Sequence, residues 1–595
     1  MTNKPRSVQE IKKEKRARQL EPTTPGMSRR NFLTYLGAGS AALAAGSAGV
    51  FTREAQAHTA FAGAASTPYP QQYAGYQISF EPIAPTDADE LVLPPGYYYN
   101  VIRSWGDPVT SDGRTFGYNN DYIAYFPIDA LEGGASSADG LLWVNHEYVD
   151  SRWVSDYNPD EAEESRTPEQ IAAEREAVGG SVIHVRYTSA GTWEFVEDDD
   201  FNRRIDANTP IDLTGPAAGA DEVQGATEVV GTLANCSGGV TPWNTVLSCE
   251  ENFQGYYGEA TGSDDESESD WYSDEQNRQP PEHYGWVVEI DPFDKDSKPR
   301  KHTWLGRCRH ENVAINIAPS GRVVAYTGHD QEDQCIYKFV SKGICDPNTR
   351  EANMDLLTDG MLYVADFANG RWVALDYENN PLFRDNGFKS QADVLVRVPE
   401  AAALPEDEEE DSPPIGTPLD RCEDIEIHPE TGTVYAALTN NSLHGNFHGQ
   451  IIRMFEADGD PEATEFYYEV FAVGGPNTGF SSPDNLAFDN NNNLWMVTDI
   501  STSGHNKGIY KPFKNNGIFF MPNVENMELA EAYQFASGPV ESEMTGPAFT
   551  PDGSTMFLAV QHPGEESESV DNPSSTWPDG DMPNPSIVAI VGFAS

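Results

Sequence analysis

One unit recurs along this chain and limits the folds open to it. An acidic residue opens a short apolar strand, a Pro/Gly/Asn turn follows, a second apolar strand returns, and the unit closes on polar residues. His310-Glu311 leads through Val313–Ile317, the turn Pro319-Ser320-Gly321 and Val323–Tyr326 to His329-Asp330. Glu423-Asp424 leads through Ile425–Ile427, the turn Pro429–Gly432 and Val434–Leu438 to Asn440-Asn441. Asp484-Asn485 leads through Leu486–Phe488, the turn Asn490–Asn493 and Leu494–Val497 to Asp499. Glu543 leads through Pro547–Phe549, the turn Pro551-Asp552-Gly553 and Met556–Val560 to Gln561-His562. A looser fifth copy opens at Glu228 and ends at Cys249-Glu250-Glu251-Asn252. The end of a sixth is visible where Leu141–Val144 runs into Asn145-His146-Glu147. Period-2 alternation with turns at this spacing predicts an all-β chain, and repetition of the unit predicts a β-propeller.

In a propeller blade the first strand starts near the central channel, and the turn sets the second strand antiparallel beside it. The opening acid and the closing polar residues of each copy therefore lie at one end of the channel. Carboxylates gathered in a single funnel repel one another strongly, and bound cations relieve that repulsion. One such acid alone is an ordinary solvated loop residue; the same placement in five copies predicts a metal site.

The charge balance agrees. The chain carries 95 Asp+Glu against 38 Lys+Arg, a formal net charge of −57. Binding through nucleic-acid phosphates draws on Lys and Arg, so that class of partner is excluded. An acidic surface attracts cations and stays soluble at high salt, which fits a halophilic source or an acidic secreted protein. Hydrophobic residues still make up 38% of the chain, enough for an ordinary core. Four acidic, Ser- or Pro-rich segments, 155–178, 259–283, 401–417 and 564–586, read as surface insertions between strands. A helix is predicted over Pro168–Ala177 in the first of them.

Ser28-Arg29-Arg30-Asn31-Phe32-Leu33, the apolar Leu36–Phe51 run and Ala55-Gln56-Ala57 together form a twin-arginine export signal with its cleavage site. The apolar run is too short and too rich in Gly and Ala for a good membrane span. The expectation is a cleaved signal over 1–57, a single propeller domain over 58–595, and a periplasmic, cell-surface or extracellular monomer without a stable membrane span. Six cysteines in an oxidising destination leave disulfides open, and no CxxC pair is present.

Several fragments around these acids go further. Asn145-His146-Glu147-Tyr148, Gly225-Ala226-Thr227-Glu228, the stretch from Gly231 through Asn235-Cys236 and Thr241-Pro242-Trp243 to Cys249-Glu250-Glu251-Asn252-Phe253, Gly285–Pro292, Leu305-Gly306-Arg307 with His310-Glu311, Ile336–Phe339, Asp420-Arg421 with Glu423, and Thr545-Gly546-Pro547 with Gln561–Glu565 resemble the PhoX-type alkaline phosphatases. The resemblance runs from about residue 70 to the end of the chain, apart from the insertions. It implies a six-bladed propeller with iron (Fe3+) and Ca2+ in its channel, hydrolysing phosphate monoesters outside the cytoplasm to release inorganic phosphate.

Carried over residue by residue, the resemblance makes Cys236 the candidate thiolate ligand to iron and Glu251 and Glu311 the candidate iron or bridging carboxylates. Glu147, Glu228, Glu423, Asp484 and Glu543 are candidate calcium or bridging ligands. Arg421 is the candidate phosphate clamp, with Asn145 and Lys338 near the substrate. Thiolate suits iron and hard oxygens suit calcium. Polyvalent cations withdraw charge from phosphoryl oxygens and acidify a bound water or stabilise an oxide as the nucleophile, and arginine offers a forked contact to the non-bridging oxygens. A disulfide between Cys236 and Cys249 is the competing use of those cysteines. Glu250 competes with Glu251 as the ligand, and Arg421 can also serve as the partner of a channel acid. Ser542, Asn485 and His329 depart from the family pattern. A calcium-dependent propeller acting on lactones or phosphotriesters, and a non-catalytic binding propeller, are the alternative functions.

Overall fold

Six sheets of four to six strands, antiparallel apart from the parallel pair 210–214 and 300–302 in the second, are arranged as the blades of a propeller in the computed structural model. It describes residues 78–593 apart from 159–164, 260–268, 408–411 and 524–529. The export signal and its cleavage site lie outside the described residues.

The innermost strands, in chain order, are β1 (Asn120–Pro127), β2 (Asn235–Val240), β3 (His310–Ile317), β4 (Cys422–Ile427), β5 (Pro483–Phe488) and β6 (Glu543–Phe549). Each packs against the next around the ring, and β6 packs back on β1. The sixth blade is closed by the first strand of the described residues, because Tyr98–Ser104 pairs with Ser586–Val591 as its outermost strand. Tyr98–Ser104 thereby ties the two ends of the described chain together.

Apolar side chains from neighbouring blades fill the gaps between sheets. Trp143, Val182, Trp286 and Val288 bury fully between the first two blades, and Val323, Tyr337, Phe339 and Leu362 pack between the second and third. Each such side chain contributes about 1.5–3 kcal/mol through burial. Polar rivets stitch the inner strands. Asn312 exchanges hydrogen bonds with the backbone of Ile425, Asp424 accepts from Leu486 N–H at 2.6 Å, and Asn485 accepts from Gly546 N–H at 2.9 Å.

The predicted helix stands at Pro168–Ala177, capped by Thr167 and Gln170 in a reciprocal capping box. Other helices escape period-2 reading. Pro381–Asp385, Gln391–Val396 and Val398–Ala402 bury Phe383, Val394, Leu395 and Val398 against the third blade. The 401–417 segment thus begins inside the core rather than on the surface.

The fifth copy of the repeat needs correction. The second blade has six strands in the order 228–230, 210–214, 300–302, 287–290, 246–250, 235–240 from rim to channel. Glu228 opens the outermost of them, and the inner strand starts instead at Asn235-Cys236.

Candidate metal centre

Every blade carries a one-residue β-bulge at the same level between its first and second strands. The ladder partners Asn120↔His146, Asn235↔Glu250, His310↔His329, Cys422↔Leu438, Pro483↔Thr498 and Thr545↔Ala559 are each followed by a step of three residues on the inner strand against two on its neighbour. A bulge turns the extra residue out of the ladder and re-aims its side chain. The first bulged residue is Asp121, Cys236, Glu311, Glu423 and Asp484 in blades one to five. In the sixth it is Gly546, at φ +57°, where a Cβ would stand 2.6 Å from Ile123 N and 2.7 Å from Asp121 O. The closing blade presses too tightly on the first for a side chain there, and its acid is displaced to Glu543.

A second layer follows from the same register. In blades one to five the residue that follows the second strand donates its N–H to the carbonyl just before the inner strand's first ladder pair. These bonds run Glu147→Asn119, Glu251→Ala234, Asp330→Arg309, Thr439→Arg421 and Asp499→Ser482, all at 2.8–3.0 Å. Glu147, Glu251, Asp330 and Asp499 thus form an upper ring above the bulged residues.

Ligand atoms of the two layers converge. Asp121, Glu147 and Cys236 form one group within 4.8 Å, Cys236, Glu251 and Glu311 a second, and Glu311, Asp330 and Glu423 a third. Cys236 Sγ lies 3.5 Å from Asp121 Oδ2 and 3.2 Å from Glu311 Oε1. Asp121 and Glu311 are 1% exposed, so water cannot screen these charges. Burial, followed by the neighbouring acids, pushes the carboxyls of Asp121, Glu251, Glu311, Asp484 and Glu543 well above the usual carboxylate range and Glu147 up to about 7. The same causes push the Cys236 thiol up. Asp121 Oδ1 and Glu251 Oε1 are buried with no hydrogen-bond donor. Orphaned carboxylate oxygens crowded around one sulfur are donors that could hold metal ions.

Two ambiguities of sequence are resolved by local packing. Glu250 faces into its blade, where it pairs with the fully buried Lys301 at 2.7 Å and accepts from Gly285 and Trp286 N–H, so Glu251 faces the channel. All six cysteines are free thiols, which removes the disulfide between Cys236 and Cys249.

Three predicted residues fall elsewhere. Glu228 is exposed at the outer rim, paired with Lys298. Lys338 is buried within the third blade, where its three donors go to Glu456, Pro461 O and Ala463 O. Burial pulls its ammonium down to about 8. Asn145 spends all four of its hydrogen-bonding positions on Trp143, Ser248 and the carbonyls of Cys236 and Ser237, and so positions the cysteine strand rather than a substrate.

Arg421 stands at the mouth, 30% exposed. Its Nε and Nη2 bind the two oxygens of Asp330 at 2.8 and 2.5 Å, and Nη2 also reaches Glu423 at 3.0 Å. Against the desolvation of its site, those two acids hold the guanidinium charge firmly. Nη1 is left without a partner among the described residues. Above it, Glu565 accepts from Tyr148 OH at 2.6 Å and Thr502 Oγ1 at 2.5 Å, and His562 Nε2 lies 3.4 Å from Glu543.

Asp121 escaped sequence reading. Asn120-Asp121 opens the apolar run Ile123–Phe126 one strand before the recognised end-unit, so extending the repeat upstream finds it.

Residues 78–564 match the family described as alkaline phosphatase PhoX. Among solved structures, PhoX of Pseudomonas fluorescens, described in complex with vanadate as a transition-state analogue, is similar with a TM-score of 0.76 and 30% identity. That similarity covers 86% of this chain and 97% of the other. A protein of unknown function from Dyadobacter fermentans (TM-score 0.34, 11% identity, 84% and 100% covered) and an α-L-arabinofuranosidase of Fusarium graminearum (0.30, 8%, 83% and 98%) also match. No curated protein matches the chain in sequence.

Proposed function

The chain belongs to the alkaline phosphatase PhoX family, and we propose that it hydrolyses phosphate monoesters outside the cytoplasm with iron and calcium held side by side at the channel mouth. Phosphatase activity follows from the family; the division of the metals rests on the donor chemistry of this chain. The observation that carries it is the single sulfur in a ring of oxygens. Two of the three ligand groups share Cys236 and suit iron, through Asp121, Glu147, Glu251 and Glu311. The third, Glu311, Asp330 and Glu423, is all oxygen and suits calcium, with Asp484 and Glu543 beside it. Bound there, the cations supply Lewis acidity that neutralises phosphoryl oxygens and acidifies water.

The chain's own residues do the rest. Arg421, its Nε and Nη2 fixed by Asp330, presents Nη1 to a non-bridging phosphoryl oxygen. Asn145 holds the backbone carbonyl of Cys236 and so fixes the thiol's direction. The Tyr148–Glu565–Thr502 network braces the loop carrying His562 over the mouth. Among the described residues no helix is long and apolar enough to cross a membrane. Export by the twin-arginine route is supported by the Arg29-Arg30 signal.

The purified protein should hydrolyse p-nitrophenyl phosphate at alkaline pH, lose that activity to chelator, and contain both iron and calcium by elemental analysis. A metal-replete preparation without monoesterase activity would overturn the reading. The corrected residues give a second test. Glu228→Gln and Lys338→Met are expected to keep kcat/KM within about threefold of wild type. Lys338→Met should nonetheless lower Tm, because Glu456 is left buried without its cation at about 3–5 kcal/mol.

A further inference from the structure

We propose that Arg309 is a second phosphate-binding arginine of the channel mouth, set one blade away from Arg421 at the same position of the repeat. The inference deepens the phosphatase reading above and rests on it.

The upper-ring hydrogen bonds place Asn119, Ala234, Arg309, Arg421 and Ser482 at one equivalent position in blades one to five. Two of the five are arginines, on adjacent blades. Arg309 immediately precedes the inner strand that carries Glu311, as Arg421 immediately precedes the inner strand that carries Glu423. Both are anchored to one residue: Arg309 gives its carbonyl to Asp330 N–H at 3.0 Å, while Arg421 grips the Asp330 carboxylate.

Their guanidinium groups differ in commitment. Arg421 spends Nε and Nη2 on protein carboxylates. Arg309 is half-buried and makes no side-chain hydrogen bond or ion pair among the described residues, in a chain with 95 acids for 38 bases. A phosphate dianion presents three non-bridging oxygens, and the one nitrogen left on Arg421 cannot make the forked contact that gives arginine its preference for phosphate. Arg309 has all five N–H groups unspent. It completes the fork from the neighbouring blade and touches the phosphoryl group directly.

The test uses the full metal-loaded protein. Arg309→Ala is expected to raise KM for p-nitrophenyl phosphate and Ki for inorganic phosphate about 10- to 100-fold, the range of a lost charge-assisted contact. Iron and calcium per chain and Tm should stay at wild-type values. Arg309→Lys keeps the charge and loses the fork; it should recover part of the loss while remaining at least about threefold weaker in phosphate affinity. It carries the measurement if the alanine variant does not fold. A Ki within about twofold of wild type in either variant overturns the assignment, and so does a weakening that tracks loss of metal. Wild-type protein that fails to hydrolyse the ester sinks the phosphatase reading itself; active wild type with unchanged phosphate binding in the variants sinks the role of Arg309 alone.

Discussion

Cys236→Ser is expected to strip the protein of iron and lower phosphomonoesterase turnover by at least about 10³-fold, roughly 4 kcal/mol of barrier. Sγ is shared by two of the three ligand groups, 3.2 Å from Glu311 and 3.5 Å from Asp121. A soft thiolate is the one donor there that favours iron over calcium. Serine keeps the size but not the acidity, since its hydroxyl stays protonated where a metal-bound thiol does not. The fold should survive, because the strand is held through the backbone carbonyls of Cys236 and Ser237 that accept from Asn145, and these do not change. Iron per chain and turnover should therefore fall together while the far-UV spectrum and calcium content hold. A serine variant that keeps both its iron and its turnover would refute the thiolate assignment.

The repeat made much of this site legible, and its failures have a common cause. Glu311, Glu423 and Asp484 were readable because each stands two residues ahead of a largely apolar run, and the bulge places each on the channel side. Alternation reports which face of a strand a residue takes, not how far from the axis its strand lies. Glu228 opens an apolar strand like the others, yet that strand was laid on the outer rim of its blade by chain preceding the inner strand. Lys338 has the same origin as an error, because a mid-strand lysine looks the same at the channel as against a buried Glu456. Asp121 was missed for the opposite reason. Its strand carries Tyr122 and Tyr125 among the apolar residues, and the end-unit downstream was the stronger signal. The choice of Glu251 over Glu250 turns on a tertiary contact, Lys301, that no local pattern carries.

Chelation should destabilise the protein, and increasingly so as pH rises. In the folded, metal-free chain Asp121, Glu147, Glu251, Glu311, Glu423, Asp484 and Glu543 have pKa values above their unfolded ones, so between those values the folded state binds more protons than the unfolded state. Stability then falls as pH rises. For Glu147, held up to about 7 from 4.5, full ionisation in the fold costs about 3 kcal/mol. Each of Asp121, Glu251, Glu311, Glu423, Asp484 and Glu543 that remains protonated near neutral pH steepens the fall by about 1.4 kcal/mol per pH unit. The informative window is about pH 7 to 9. Below it, the buried His283, His310 and His505, each depressed to about 4 by burial, work in the opposite direction. Inside it, His444, raised to about 9 by Asp333 and Asp420 against the pull of burial, and Lys338, lowered to about 8, titrate alike with or without metal. The difference between the two forms therefore isolates the ring. Cations remove the effect by holding the carboxylates ionised in both limits of pH. Thermal unfolding of the chelated protein should lose on the order of 10 °C across that window while the metal-loaded protein stays nearly flat by comparison. Restoring calcium alone should recover only the part owed to Glu311, Glu423, Asp484 and Glu543, because the thiolate side of the ring still lacks its metal. Parallel Tm–pH curves for the two forms would mean that the acidic ring is tolerated without cations.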